Sequence, residues 1–318
     1  MNCKKMDNEK RIIIPGAAGL VGQNLIIALK AKGYKNILAF DKHPANTEIL
    51  RKLHPDIEVI HADISQPGTW QENCHDGDVV VMLQAQIGSK KSAPFMRNNI
   101  ESTRLMLKTM KEHNIPYVIH ISSSVVESVA DDDYTNTKKQ QEDLVVASGL
   151  DYCILRPTLM FGWFDRKHLG WLSRFMKKIP VFPIPGNGKY MRQPLYVRDF
   201  CNIIVSCLEN EPKNEVYNIT GCENVDYVDI IRTIRDTIRA KTFIIHIPYW
   251  LFWSLLKIYA LFDKDPPFTT DQLKALVAGD KFEVMPWWDI FQVEPTPFKQ
   301  AIEETFRDPI YSIYELKF

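Results

Sequence analysis

An α/β fold is what the sequence predicts: a doubly wound parallel sheet, then a smaller and mainly helical lobe. Three observations predict it. Short, wholly apolar runs alternate with helix-period stretches through the first half. Strands of that kind are buried on both faces, which requires a parallel sheet covered by helices. A glycine-rich turn joins the first apolar run to the first helix. Beyond Gly162 the character changes, with prolines clustering at Pro180, Pro183, Pro185 and Pro194.

The elements follow in order. Ile12–Ile14 is a short strand, and Gly16-Ala-Ala-Gly-Leu-Val-Gly22 is the turn after it. A helix runs on to Lys32 and is closed by Gly33. Asn36–Phe40 is the second strand, ending at Asp41, and Glu58–His61 is the third, followed by Asp63. Asp78–Leu83 is the fourth, apolar after its first residue. A helix through Asn99–Lys111 precedes the fifth strand, Tyr117–Ser122. A helix over Tyr134–Ser148 then leads to a sixth strand, Tyr152–Leu155. Residues 1–162 therefore form the sheet domain, and 163–318 mainly a second lobe, with some segments returning to the core.

Composition narrows the function. The 318 residues carry 39 Lys+Arg against 39 Asp+Glu, so nothing pulls the chain toward nucleic acid. At 45% hydrophobic it is an ordinary globular chain. The cysteines Cys3, Cys74, Cys153, Cys201, Cys207 and Cys222 are scattered without a CxxC pair, and read as reduced thiols of a cytoplasmic protein rather than a disulfide frame or metal site. The polar leader MNCKKMDNEKR lacks the apolar core of a signal peptide.

The glycine turn has the strand–turn–helix context of a dinucleotide fingerprint. Gly16 permits the tight turn, Gly19 lets backbone approach a pyrophosphate, and Gly22 lets helix and strand pack closely. Leu20 and Val21 open the helix, whose N-terminus offers free N–H groups and partial positive charge to phosphates. Asp41 lies nineteen residues past Gly22. A carboxylate there accepts from a ribose 2′-hydroxyl and repels a 2′-phosphate, which favours NAD over NADP. Lys42 and His43 next to it soften that preference. In HISSSVVESVADDDYTNTK, Tyr134 and Lys138 are four apart, so a helix presents them on one face, and a serine at the strand end can meet both. The Asp131-Asp132-Asp133 run caps that helix.

Together these residues resemble the extended short-chain dehydrogenase/reductase family, the NAD-dependent epimerase/dehydratase group, most strongly over residues 11–200. The resemblance implies a Rossmann sheet and an adenine contact at Asp63-Ile64. It implies a cofactor wall at Leu83 and Ala85 within Met82-Leu83-Gln84-Ala85, where Gln84 is bulkier than the family's residue. Asn99 begins Asn99-Ile-Glu-Ser-Thr103, which corresponds to the family's Asn-Val-x-Gly-Thr, and is placed at the cofactor. Tyr134-Thr-Asn-Thr-Lys138 corresponds to Tyr-x-x-x-Lys, and Arg156-Pro157 with Phe161-Gly162 completes the pattern. By resemblance Tyr134 is the acid/base, Lys138 favours its phenolate and holds the nicotinamide ribose, and Ser123 or Ser124 orients the substrate hydroxyl. A phenol with a pKa of about 10 needs such help near neutrality. The segment from Ser124 to Tyr134 is shorter than in the family's sugar-nucleotide epimerases and lacks their Tyr-Gly.

The resemblance implies an NAD-dependent oxidoreductase of the epimerase/dehydratase type, acting on a hydroxyl or keto group of a small molecule, most simply a nucleotide sugar, as a homodimer. The alternatives are a catalytically silent NAD(P)-binding scaffold and a reductase of a lipid-like alcohol. Nucleotide-sugar members carry a Gly-x-Gly, an arginine, then aromatic-Val-x-Asp. Here these are Gly186, Gly188, Arg192 and Tyr196-Val-Arg-Asp199, which makes Arg192 the diphosphate clamp, with Lys189 and Arg198 behind it. The apolar stretch Phe243–Phe262 is as long as a membrane span, but His246, Pro248 and Lys257 interrupt it. Its favoured reading is a strand and a helix packed in the second lobe; membrane contact is the alternative.

Overall fold

The computed structural model describes residues 8–262, 269–279 and 282–317. Cys3 and the leader up to Asp7 lie outside them. The sheet begins with β1 (Ile12–Pro15), β2 (Ile37–Asp41), β3 (Glu58–His61), β4 (Val79–Met82), β5 (Tyr117–Ile121) and β6 (Asp151–Pro157). Its helices are α1 (Leu20–Ala31), α2 (Pro44–Leu53), the short α3 (Ser92–Phe95), α4 (Ser102–Glu112) and α5 (Asp133–Val146). A π-helical turn, Met96–Glu101, precedes α4, so Asn99 sits in that turn rather than in the regular helix predicted to start there. The second half adds β7 (Met160–Phe161), α6 (Leu169–Met176), β8 (Val181–Pro185), β9 (Met191–Arg192), β10 (Leu195–Tyr196), α7 (Val197–Asn210), β11 (Glu215–Ile219) and β12 (Val225–Asp226). Then come α8 (Tyr227–Thr237), β13 (Phe243–Ile247), α9 (Tyr249–Phe262), α10 (Thr270–Ala278), α11 (Trp287–Phe291) and α12 (Phe298–Arg307).

The main sheet is parallel and seven-stranded, in the order β11-β6-β5-β4-β1-β2-β3. The expected doubly wound sheet is therefore present. The order reverses between β1 and β4, and ligands of such sheets bind outside the carboxyl ends of the strands at that point. The apolar runs explain the layers. Ile12, Ile14, Val79 and Val81 face α1 and α7, while Ile13, Val80, Met82 and Val118 face α4 and α5, all of them buried. Phe40, fully buried against Trp70 at 5.9 Å between ring centroids, contributes about 2–3 kcal/mol by its burial.

A second apolar cluster holds the lobe: Phe161, Phe182, Ile184, Ile231 and Ile302 gather α8 and α12 around β8. The expectation for Phe243–Phe262 fails in part. Pro248 does open a helix, its carbonyl accepting from Leu251 and Phe252 N–H. Yet no residue of α9 is buried, so the helix is not packed into the lobe as predicted. Its apolar character is real, but the other described residues leave much of it exposed.

Candidate active site

The predicted glycine cradle lies at the carboxyl end of β1. Gly16 has φ +81°, and a Cβ there would stand 2.7 Å from Gln84 N and 2.8 Å from Leu83 C. Only glycine lets the β1 turn lie against the loop that follows β4, a loop pinned by the Leu83 N–H donating to Pro15 O at 3.0 Å. At Gly22 a Cβ would meet Ala17 O at 2.3 Å, so that glycine serves helix–strand packing. Gly19, the N-cap of α1, would meet only Gly16 O, at 3.4 Å. The α1 N-terminus has no side-chain cap, which leaves the first-turn N–H groups, those of Leu20 and Val21, for an anion.

Asp41 ends β2 beside this turn. Its Oδ2 accepts the Ala18 N–H at 3.0 Å and its Oδ1 the His43 N–H at 2.8 Å. Burial raises its pKa, and those two bonds oppose the rise. Each oxygen keeps a lone pair for a ribose hydroxyl. Asp63 Oδ1 accepts from the Ser65 N–H and hydroxyl at 3.1 and 2.6 Å. Burial pushes its pKa up, but the Ser65 bonds and the charges of Lys42 and Arg97 outweigh it and hold the carboxyl low. The Ile64 side chain packs into the sheet core, so only its backbone is left to meet an adenine. Ala85 is exposed and Leu83 half-buried along the same wall.

Tyr134 stands in the first turn of α5, which Asp132 caps by accepting from Thr135 N at 2.9 Å. The acidic run thus performs its expected capping. The Ser123 hydroxyl lies near the Tyr134 phenol and favours its ionised form. Ser124 opens the short turn that follows, Ser124–Glu127, whose N-cap is Ser123. Lys138 is 1% exposed. Its Nζ donates to Ile121 O at 2.9 Å and to Gln141 Oε1 at 2.8 Å. An ammonium has three N–H donors, so one is left for a ligand hydroxyl. Burial lowers the Lys138 pKa to about 7 although Glu142 opposes it. The expected depression of Tyr134 is not found: burial raises its pKa, and the nearby Ser123 hydroxyl only partly opposes that.

A family model described as the NAD dependent epimerase/dehydratase family matches residues 12–220. The chain belongs to that family. Two curated relatives are each 22% identical. A UDP-N-acetyl-alpha-D-glucosaminuronate decarboxylase of Bacillus cytotoxicus matches 76% of this chain and 84% of its own length. A UDP-glucose 4-epimerase of Vibrio cholerae matches 80% and 84%. Among solved structures, a UDP-glucuronic acid 4-epimerase of Bacillus cereus in complex with NAD superposes with a TM-score of 0.68 at 22% identity, over 93% of this chain and 97% of that one. The cradle, the uncapped α1 N-terminus and the spare lone pairs of Asp41 fit the family's cofactor, NAD.

Asn99, the predicted cofactor residue, lies in the π-helical turn before α4. That residue is fully buried. Its Oδ1 accepts from Gln86 N at 2.6 Å, and its Nδ2 donates to Thr137 Oγ1 at 2.9 Å and to Gln86 O at 3.3 Å. These bonds tie the β4 loop to α5 one residue before Lys138 and leave a lone pair on Oδ1. Sequence reasoning also missed Gln141, which relays from Lys138 to Thr103 Oγ1 at 2.8 Å, and Glu142, which binds Ser122 and accepts two bonds from Arg156 at 2.9 and 2.6 Å. Their spacing of three and four from Lys138 was the available signal. Arg166 lies close enough to Asp41 for their charges to interact.

On the lobe side, Arg192 is half-buried on β9, where Val225 of β12 pairs with it. Asp199 does not depend on it: Thr296 supplies its N–H at 2.9 Å and its hydroxyl at 2.7 Å. Arg198 is bound to Glu304 at 2.7 Å.

Proposed function

We propose that this family member interconverts a hydroxyl and a keto group on the sugar of a nucleoside diphosphate sugar. NAD, when bound, accepts the hydride and returns it. The observation that carries the reading is the buried Lys138, one helical turn behind Tyr134, whose Nζ is held by Ile121 O and Gln141 with one N–H unspent, beside Ser123 at the carboxyl end of β5. The relatives whose names specify nucleotide sugars support the same substrate class.

Each residue has a task. The Ser123 hydroxyl donates to the substrate oxygen and aligns it with the phenol. Tyr134 takes the proton as that oxygen becomes a carbonyl and gives it back on reduction. Lys138 directs its remaining N–H at the nicotinamide ribose, while Ile121 O and Gln141 fix its position. Asp41 accepts from the adenosine ribose, and Arg192 grips the diphosphate through paired N–H donors. The same reading includes pairing of two chains through α4 and α5.

Incubation with NAD and a panel of UDP- and dTDP-sugars, followed by chromatography and NMR of the products, tests it. Tyr134→Phe is expected to lose on the order of 10²–10⁴ in turnover while calorimetric NAD affinity is kept. Near-normal turnover in that variant would refute the role of the phenol. No turnover of any sugar by the unaltered protein would favour the scaffold alternative.

A further inference from the structure

Helix α9 is apolar on every side. Its sequence YWLFWSLLKIYALF contains one charged residue, Lys257, whose ammonium lies 5.4 Å from the Trp253 ring centroid. A helix apolar all round is ordinarily buried. Here Trp250 is 68% exposed, Leu261 81% and Phe262 86%. The adjoining strand pair continues the patch: β13 runs parallel to β8, and Phe243 is 73% exposed beside Val181.

The stretches that build the patch are basic. No Asp or Glu occurs between Asp165 and Asp199, nor between Asp236 and Asp263, in a chain with 39 residues of each charge. Those two stretches supply α6, the β8/β13 ribbon and α9. At the start of the ribbon the Phe243 N–H donates to Pro180 O at 2.8 Å. That bond brings Lys177 and Lys178, at the end of α6, close to Arg239 and Lys241, all four exposed. Tryptophan, tyrosine and leucine over a cationic rim match the interface of an anionic bilayer. At 14 residues α9 spans about 21 Å, and no helix among the described residues is long and apolar enough to cross a membrane. It can therefore lie in the interface but not pass through it.

We propose that α9 and the outer side of the β8/β13 ribbon dock this protein on an anionic lipid surface. The docking side borders the candidate substrate cleft. Gly186 N–H donates to Ile247 O at 2.7 Å, and Tyr249 at the head of α9 lies beside Tyr190, two residues from Arg192. Docking places the lobe's mouth at the membrane. The proposal does not depend on which substrate enters there.

Flotation with vesicles tests it on the full chain. Vesicles of phosphatidylcholine with about a third phosphatidylglycerol should carry the protein up the gradient, pure phosphatidylcholine should carry little, and added salt should release it. Trp250→Glu/Leu255→Glu/Leu261→Glu should abolish flotation. Lys177→Glu/Lys178→Glu/Lys241→Glu should weaken it at least about a hundredfold, from about fivefold per charge. Both variants should keep the parent's melting temperature and NAD affinity, since the altered side chains are exposed. Absence of flotation, equal flotation on both vesicles, or parent-like flotation of the lysine variant would each overturn the proposal. So would a dimer of the parent, seen by sedimentation velocity, that the tryptophan–leucine variant dissolves without any vesicle binding; a second copy of this chain would then be the occupant.

Discussion

Replacing Lys138 by Met should flatten the dependence of stability on pH. In the unfolded chain the lysine titrates near 10.5, whereas in the cofactor-free fold burial brings it to about 7. Between those values the unfolded state holds a proton that the folded state has released. Stability from this group therefore rises with pH across that window, and below about pH 7 both states are protonated and the contribution is flat. From pH 7 to pH 9 the linkage amounts to about 2 kcal/mol gained by the parent and absent from Lys138→Met. The side chain is fully buried, so no solvent screening reduces the figure. Thiols pull the other way: burial pushes Cys74 up to about 12 and raises Cys201, while the Cys153 thiol and burial raise Cys207. Each costs about 0.4 kcal/mol at pH 9, where an unfolded thiol is half ionised. That cost is common to both proteins and cancels in the difference. Urea midpoints of parent and variant at pH 7, 8 and 9, without NAD, give the measurement. Parallel curves would show that Lys138 keeps an ordinary pKa and that the buried-lysine argument is wrong.

Other outcomes follow from the same geometry. Gly16→Ala should cost about 2–4 kcal/mol and NAD affinity, because a left-handed φ is combined with a backbone contact at 2.7 Å. Gly149→Ala, at φ +75° with nothing within 4 Å, isolates the φ cost at about 1 kcal/mol, so equal melting shifts for the two would refute the cradle argument. Asp41→Ala should narrow the preference for NAD over NADP measured by calorimetry, and stronger NADP binding by the unaltered protein would contradict the assignment. Arg192→Lys should raise KM for a nucleotide sugar while melting temperature and NAD affinity hold; a lowered melting temperature with unchanged KM would make it a structural tie.

What was legible in the sequence was what backbone chemistry demands locally. Gly16 and Gly22 are read from sequence because a Cβ there would strike backbone, and the strands because both faces are buried. Asp41 is read because a strand end has one place to put a carboxylate. The illegible parts depend on contacts between distant segments. Nothing local says that β11 returns to pair with β6, or that the Asn99 amide is spent on Gln86 and Thr137. Helix α2 was missed although His43-Pro44 marks its start, the His43 ring accepting from Asn46 N–H at 3.3 Å. For α9, hydropathy identified an apolar helix but could not say what covers it.

The short Ser124–Tyr134 segment leaves a site that other parts of the chain must wall. Two chains of contacts do so. From the sheet side, Lys42 Nζ donates to Asn98 Oδ1 at 2.6 Å, and Asn98 Nδ2 to Gln86 Oε1 at 2.7 Å, which stiffens the loop after β4. From the lobe side, the segment after β7 closes in: Asp165 caps α6 by accepting from the Lys167, His168 and Gly170 N–H groups at 2.9, 2.9 and 3.0 Å, and Lys167 Nζ would lie 3.9 Å from a Cβ at Gly88. Gln84, with both amide atoms buried and without a hydrogen-bond partner among the described residues, lies against Gly16. A buried amide left unbonded costs about 1–3 kcal/mol, so a ligand that supplies a donor or acceptor there recovers part of that cost on binding.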